Sequence, residues 1–513
     1  MDATRIRHVV EVTTGDRRIG AAVAVGAGAV FGLLSGWWIP RGPLTTTAAL
    51  VTMAGGFLTG VVGGLAMRSR WTMVIAPVAF VVVVELLRIG AVGPTVDRPV
   101  LTTYGLIALV VGRGVHGVLA LLPMVVGVAY GALLARRLFI AGDGAGDTAR
   151  SRLGAGMIAR RTALALGTVA VLVVGAGFAR PARTAAIVGE DGRRVEGSIA
   201  ELTSIEVDGH DLGLMIRGHD VTDPVILFLA GGPGGSEVGA MRRHLPMLEE
   251  DFVVATFDQR GTGRSHHELE PVDTLTLDRA IDDVIAVTGH LRERFGVDRV
   301  LLVGQSWGTM LGVLSIDRAP ELFSGFVGVG QMVDMTETDR IIYEDTLAWA
   351  RAEGRDGLAD RLEEIGPPPY GNILDYETAL AYETDVYPYD FSVNSEGRGG
   401  FSENLFVEEY TLLEQLHALG GFLDVFSVLY PQLTELDLRA QVPRVDVPVV
   451  LMMGRYEARG RAEPAAEWFE LLDAPAKEWI EFDTSGHRPL FEQPEEFHRA
   501  MVDEVLPLLG SPR

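Results

Sequence analysis

The chain has 513 residues, too many for one ordinary domain, so two or more are expected. Its formal charge of -24 is unevenly spread: residues 1–161 hold 16 Arg against 7 Asp and Glu, a net of +9, and the remainder carries -33. An acidic body argues against nucleic-acid binding, which needs clustered Lys and Arg, and the absence of cysteine excludes disulfides, thiolate metal sites and cysteine nucleophiles.

Residues 19–39, IGAAVAVGAGAVFGLLSGWWI, form an apolar run long enough to cross a bilayer core of about 30 Å. Further spans read as 44–67, 71–92 and 162–179. The stretch from Tyr104 to Leu134 is long for one simple span and is interrupted by Arg113 and His116. It reads as a re-entrant or interfacial helix followed by one span over about 117–135, with two short spans as the other option. The first run lacks a small-x-small cleavage site and more spans follow, so a cleaved signal peptide is not expected. Residues 1–179 therefore read as an all-α transmembrane bundle of five spans.

Arginine distribution gives the orientation. Arg5, Arg7, Arg17 and Arg18 precede the first span. Arg68 and Arg70 lie in the second-to-third loop. Arg136, Arg137, Arg150, Arg152, Arg160 and Arg161 lie between the fourth and fifth. The alternate loops offer little more than Arg41 and Arg98. The N-terminus is then cytoplasmic, the protein a multi-pass protein of the cell membrane, and the chain beyond about residue 180 extracytoplasmic. One span more or fewer would reverse this. Glu85 with Arg88, and Arg113 with His116, read as i,i+3 pairs near span ends rather than a proton or transport path.

Residues 180–198, rich in Arg, Gly and Glu, read as a linker. SIAELTSIEVDG and HDLGLMIRGHD then read as a hairpin about Asp208-Gly209. PVILFLA (224–230), FVVATFD (252–258), RVLLVG (299–304) and FSGFVGVG (323–330) read as buried strands. Helical patterns lie over 275–295 and 309–319. Such alternation implies a mostly parallel sheet with helices on both faces. Over 334–440 strand signals stop, and the segment reads as a helical cap. Alternation returns at 447, so 199–333 and 441–513 form one core.

VGQSWGT places Ser306 in G-x-S-x-G between a buried strand and a helix, the context that motif requires. The sharp turn projects the hydroxyl clear of the sheet and aims a helix N-terminus at the reacting carbonyl. LAGGPGGS (229–236) follows another buried strand without the G-K-[ST] of a phosphate loop. It reads as bare backbone supplying an oxyanion donor from Gly232, partnered by the N–H of Trp307. A serine needs a base. His487, in FDTSGHRP, alone among the histidines follows both the serine and the candidate acid with a glycine before it. His266 and His267 read as an exposed pair, and His498 as a surface residue. The base needs an anionic partner. Glu457, just past VVLMMG, completes the order serine, acid, histidine. Asp334 is the alternative acid, and Asp483 lies too close to His487 along the chain.

GGPGGS, DQRGTGRS (258–265), GQSWGT, GRYE and SGH together resemble the α/β-hydrolase superfamily and, within it, the proline iminopeptidase-like branch, serine peptidase family S33. The resemblance covers roughly residues 200–510. It implies an α/β-hydrolase fold with a helical cap, no cofactor or metal, and release of N-terminal residues, often proline, from short peptides. It makes Asp258 and Arg260 structural. Two positions depart from it: Ala230 stands where the loop usually begins with histidine, and Glu457 stands where aspartate is usual. The expected partners are the lipid bilayer and a small peptide or ester. The expected activity is a membrane-anchored serine hydrolase of aminopeptidase type. The alternatives are an ester hydrolase with the same triad and a non-catalytic binding protein. A substrate ammonium would need carboxylates from an acid-rich cap containing Glu337, Glu344 and Asp345.

Overall fold

The structure is a computed structural model describing residues 17–139, 155–389 and 402–509. Arg5, Arg7, Arg150 and Arg152, which bear on orientation, and residues 394–401 of the Gly/Ser-rich cap loop lie outside the described residues. The chain forms two compact units that divide near Arg180.

In the first unit, helices Arg17–Trp38, Thr46–Met67, Thr103–Leu138 and Gly156–Ala179 are long and apolar enough to cross a membrane, and Thr72–Leu87 is a shorter apolar helix. Gly56, Gly60 and Gly64 make a small-residue seam on Thr46–Met67. A Cβ there would collide with the backbone of Ala120, Met124 and Val128, so two helices approach closely where side chains are missing. The expected break before residue 117 is absent. The helix continues from Thr103 to Leu138, with a π-helical stretch at Leu109–Gly114. Arg113 and His116 do not end it because each has a partner inside the bundle. Arg113 reaches Glu85 at 3.1 Å and the Val96 carbonyl at 2.8 Å, and Arg88 donates to His116 Nδ1 at 2.9 Å. The expected Glu85–Arg88 pair is present at 2.7 Å.

The second unit is built on an eight-stranded sheet of order β1-β2-β4-β3-β5-β6-β7-β8. β1 (Ile199–Val207) and β2 (His210–Gly218) form the hairpin, turning at Asp208 and Gly209 with φ of 51° and 80°. Asp-Gly is suited to a turn needing two positive φ values. β2 runs antiparallel to β4 (Val253–Phe257). β3 (Val225–Leu229), β4, β5 (Val300–Gln305), β6 (Phe323–Val329), β7 (Val449–Gly454) and β8 (Lys477–Phe482) are parallel. β3, β4 and β5 are buried at every residue, which explains their unbroken apolar runs. Phe228, Phe252, Val303, Met452, Phe491 and Phe497 belong to one core. The parallel strands deliver their following loops to one edge, the usual place for a site in such sheets.

Among the described residues, 334–440 hold helices and no strand. The helices include Met335–Ala352, Asp356–Ile365, Ile373–Leu380, Glu383–Val386 and Leu412–Leu429. The last opens on a Thr411/Glu414 capping box. With the turn after it, Leu412–Leu433 is apolar enough for a membrane span, yet Leu413, Ala418, Leu423 and Leu429 are buried within the second unit. Residues read as a linker are pinned to this unit. Arg183 pairs with Glu408 at 2.9 Å, and Arg217 donates to Thr184 at 2.7 Å. Both contacts reach more than 30 residues along the chain, which composition does not reveal.

After β4, Arg260 forms a two-pronged pair with Asp283 at 2.8 and 3.0 Å, both side chains nearly inaccessible. Asp283→Ala strands a buried guanidinium and is expected to lower the unfolding free energy by about 3–5 kcal/mol. Adding Arg260→Leu should recover much of that loss in urea unfolding curves.

Candidate active site

Ser306 follows β5 and precedes the helix Trp307–Arg318. Its backbone is forced to φ 53° and ψ -123°. A non-glycine residue there stores about 1–3 kcal/mol of strain. The turn is held by Ser306 N–H to the Val329 carbonyl at 3.0 Å and Thr309 N–H to the Ser306 carbonyl at 2.8 Å. A Cβ on Gly304 would strike the Gly308 carbonyl, and one on Gly308 would strike that of Leu229. The motif's two glycines are what lets the helix start this close to the sheet.

His487 lies on the loop after β8, with Nε2 2.9 Å from Ser306 Oγ. Its Nδ1 is 2.6 Å from Glu457 Oε2, on the loop after β7. Gly330, at φ 62°, leaves room for the ring: a Cβ there would come within 3.0 Å of Nδ1. The structure thus brings Ser306, His487 and Glu457 into one hydrogen-bonded line. Asp334 lies elsewhere. It accepts the Glu337 N–H at 2.9 Å as the N-cap of Met335–Ala352 and meets Arg439 at 3.3 Å.

Glu457 has a neighbour that chain order did not suggest. Its Oε1 accepts from Arg461 Nε at 2.7 Å and from the Ala458 N–H at 2.8 Å. Burial works against its charge, but Arg461 and His487 outweigh it and hold the carboxyl down at about 2. The spacing E-x-x-x-R was the available signal, since i,i+4 neighbours meet at a helix start.

Trp307 and the Gly-rich loop are tied together by Gln259. Trp307 Nε1 donates to Gln259 Oε1 at 2.9 Å, and Gln259 Nε2 donates to the Ala230 carbonyl at 2.9 Å. Gly231 is the loop residue whose Cβ would meet Ser306 Cβ, at 3.1 Å, and Gly232 follows it at φ 128°. Asp258 accepts from Tyr410 at 2.8 Å and from the Arg264 N–H at 2.9 Å, and burial pushes its carboxyl up to about 7. Asp258 and Arg260 thus hold the segment after β4, through the Arg264 N–H and Asp283. The cap's Leu412–Leu429 helix crosses the Gly-rich loop at Phe422, 3.0 Å from a Cβ on Gly234.

His266 is buried, not exposed as expected, because the same cap helix covers it. It stacks on His417 with ring centroids 3.6 Å apart. His498 pairs with Asp251 at 2.8 Å. The cap acids are engaged by arginines: Glu337 by Arg439, Glu344 by Arg340 and Asp345 by Arg459. Among the described residues no group of three or more metal-ligating side chains is assembled.

Residues 224–494 match the model of the alpha/beta hydrolase fold family, more than half of the chain. The chain belongs to the α/β-hydrolase family. Within it this hydrolase is proline iminopeptidase-like. It is 29% identical over 311 residues to "Probable aminopeptidase YbaC" of Bacillus subtilis (strain 168), covering 58% of this chain and 94% of that one. It is 27% identical over 277 residues to "Probable proline iminopeptidase" of Leptolyngbya boryana, covering 51% and 80%. Among solved structures, the proline iminopeptidase of Mycobacterium smegmatis aligns with a TM-score of 0.45 at 20% identity, covering 60% of this chain and 99% of that one. The family and the Bacillus and Leptolyngbya relatives support a hydrolytic enzyme that is aminopeptidase-like.

The depressed carboxyl makes the hydrolase acid-sensitive at Glu457. Its folded form binds a proton more weakly than the unfolded chain, so its contribution is complete above about pH 4.5 and is lost as pH falls toward 2. The stability difference between wild type and Glu457→Gln should shrink by a few kcal/mol across that window in pH-resolved denaturation. A constant difference would contradict the assigned charge state.

Proposed function

We propose that the protein is a membrane-anchored serine hydrolase of aminopeptidase type. Ser306 Oγ attacks a carbonyl carbon while His487 Nε2 takes its proton. Glu457 fixes the imidazole tautomer and stabilises the imidazolium. The N–H groups of Gly232 and Trp307 hold the oxyanion. The imidazolium then protonates the leaving amine, and water attacks the acyl-enzyme by the same route. The observation that carries this reading is the continuous line Ser306–His487–Glu457, at 2.9 and 2.6 Å, on three loops at one sheet edge.

Peptide N-termini are the substrate class that the aminopeptidase and iminopeptidase relatives favour. The helices up to Ala179 serve as anchor in the cell membrane. The arginine distribution sets the N-terminus in the cytoplasm and, with five spans, the hydrolase unit outside. Domain bounds of 1–179, 180–198, 199–333 with 441–513, and 334–440 follow from this reading.

Fluorophosphonate should label the wild type and spare Ser306→Ala, whose turnover should fall on the order of 10⁴-fold or more. Proline arylamide should be cleaved in preference to p-nitrophenyl esters, and the reverse order would make the protein an esterase. Protease added to intact cells should digest the hydrolase unit. Digestion confined to lysed cells would overturn the orientation.

A further inference from the structure

Glu457 is not the end of the line. Arg461, beyond it, donates Nη1 to Glu383 Oε2 at 3.2 Å and Nη2 to Glu383 Oε1. Glu383 opens the short cap helix Glu383–Val386. The run His487–Glu457–Arg461–Glu383 therefore crosses from the sheet edge into the cap. Arg461, Glu457 and His487 are all nearly inaccessible, and Glu383 is mostly covered.

Helix energetics do not account for Arg461. It stands in the first turn of Arg459–Leu471, where the helix dipole disfavours a cation. Its burial is costly unless carboxylates face it. Two do, on different elements, one of them the carboxylate against His487. Glu457 also uses the reach of its extra methylene here, giving one oxygen to His487 and the other to Arg461.

We propose that Arg461 is a positioning residue which, held by Glu383 of the cap, locks Glu457 against His487 and sets the net charge that the imidazolium meets. This rests on the serine hydrolase reading above. Glu457 and Arg461 alone would present His487 with almost no net charge. Glu383 restores one negative charge to the group, so the cap helix takes part in stabilising the protonated histidine. A cap displaced from Arg461 would leave the base weakened.

Other charged groups surround this run. Asp339, on Met335–Ala352, bonds Tyr430 at 2.7 Å, feels the field of Arg461, and is raised by burial to about 7. Tyr387, past the short cap helix, bonds Asp345, which Arg459 also holds. Beside His487, Arg488 lies 3.4 Å from Glu237 and Glu403, and Glu492 accepts from Tyr389 at 2.9 Å. Arg461 is the cation bonded directly to Glu457.

The test is the pH dependence of fluorophosphonate labelling of the full-length protein, which needs no knowledge of the natural substrate. The acid limb reports deprotonation of His487. Arg461→Gln should raise that limb by about one pH unit, because a nearby cation is lost, and Glu383→Gln should lower it by about as much. The double variant should return near the wild-type position. Arg461→Lys keeps the charge without the planar fork, so it should hold the limb in place while slowing labelling several-fold. Asp339→Asn removes only that acid's own titration and should leave the opposite displacements intact. Limbs that stay fixed, or move in the same direction in both single variants, overturn the proposal while leaving the serine hydrolase reading standing. If Arg461→Gln does not fold, Glu383→Gln and Arg461→Lys decide the matter. Wild-type protein that shows no Ser306-dependent labelling overturns both.

Discussion

The site depends on one backbone conformation, the positive φ of Ser306. Nothing local makes that conformation favourable, so the sheet must impose it. The register does so: Leu229 pairs with Gly304 on one side and Gly304 with Gly328 on the other. This sets the Val329 carbonyl under the Ser306 N–H and the Leu229 carbonyl against Gly308. A slip of one residue would exchange the faces of β5 and remove both contacts. The strain is thus held by the most buried strands of the molecule, and the hydroxyl points where the loops after β7 and β8 can reach it.

Charge within the second unit follows a separate logic from its large negative total. Acids inside it have cationic or hydrogen-bonding partners: Asp283 has Arg260, Asp345 has Arg459, Asp258 has Tyr410, and Glu457 has His487 and Arg461. The outcomes differ with partner and burial, and Asp283 stays raised by burial despite Arg260. Neutral donors leave Asp258 raised by burial, whereas a guanidinium and an imidazole hold Glu457 ionised. On the proposed mechanism, an acid that stabilises imidazolium needs the second environment.

Much of this was legible in the sequence because it is local. The central strands β3 to β7 are short apolar runs, and Ser306 and Glu457 sit just past two of them, while His487 follows the amphipathic strand β8. What escaped was long-range. His266 is covered by His417, and Arg461 meets Glu383 from 78 residues away. Gln259 joins Ala230 to Trp307 across the sheet edge. Leu412–Leu433 carries the apolar signature of a span, yet it lies in the segment read as the cap and has its own buried face. Apolarity alone does not distinguish a lipid-facing helix from one covered by protein. In the first unit, Arg113 and His116 suggested a break because their partners, Glu85 and Arg88, belong to another helix end.

Buried arginines occur in both units, and their partners separate two uses. Arg88 and Arg113 share the carboxylate of Glu85; Arg88 also donates to the Pro40 carbonyl and His116 Nδ1, and Arg113 to the Thr95 and Val96 carbonyls. The carbonyl contacts carry no charge to titrate, so through them each guanidinium fixes chain segments. Arg461 instead faces two carboxylates, and one of them is bonded to the imidazole beside Ser306. Under the proposed mechanism, movement of Arg461 would alter the field at His487 as well as the packing around it. In the first unit this residue type acts as a clamp between chain segments. On the proposed mechanism, an arginine whose carboxylate partner orients a base becomes part of what determines that base's strength.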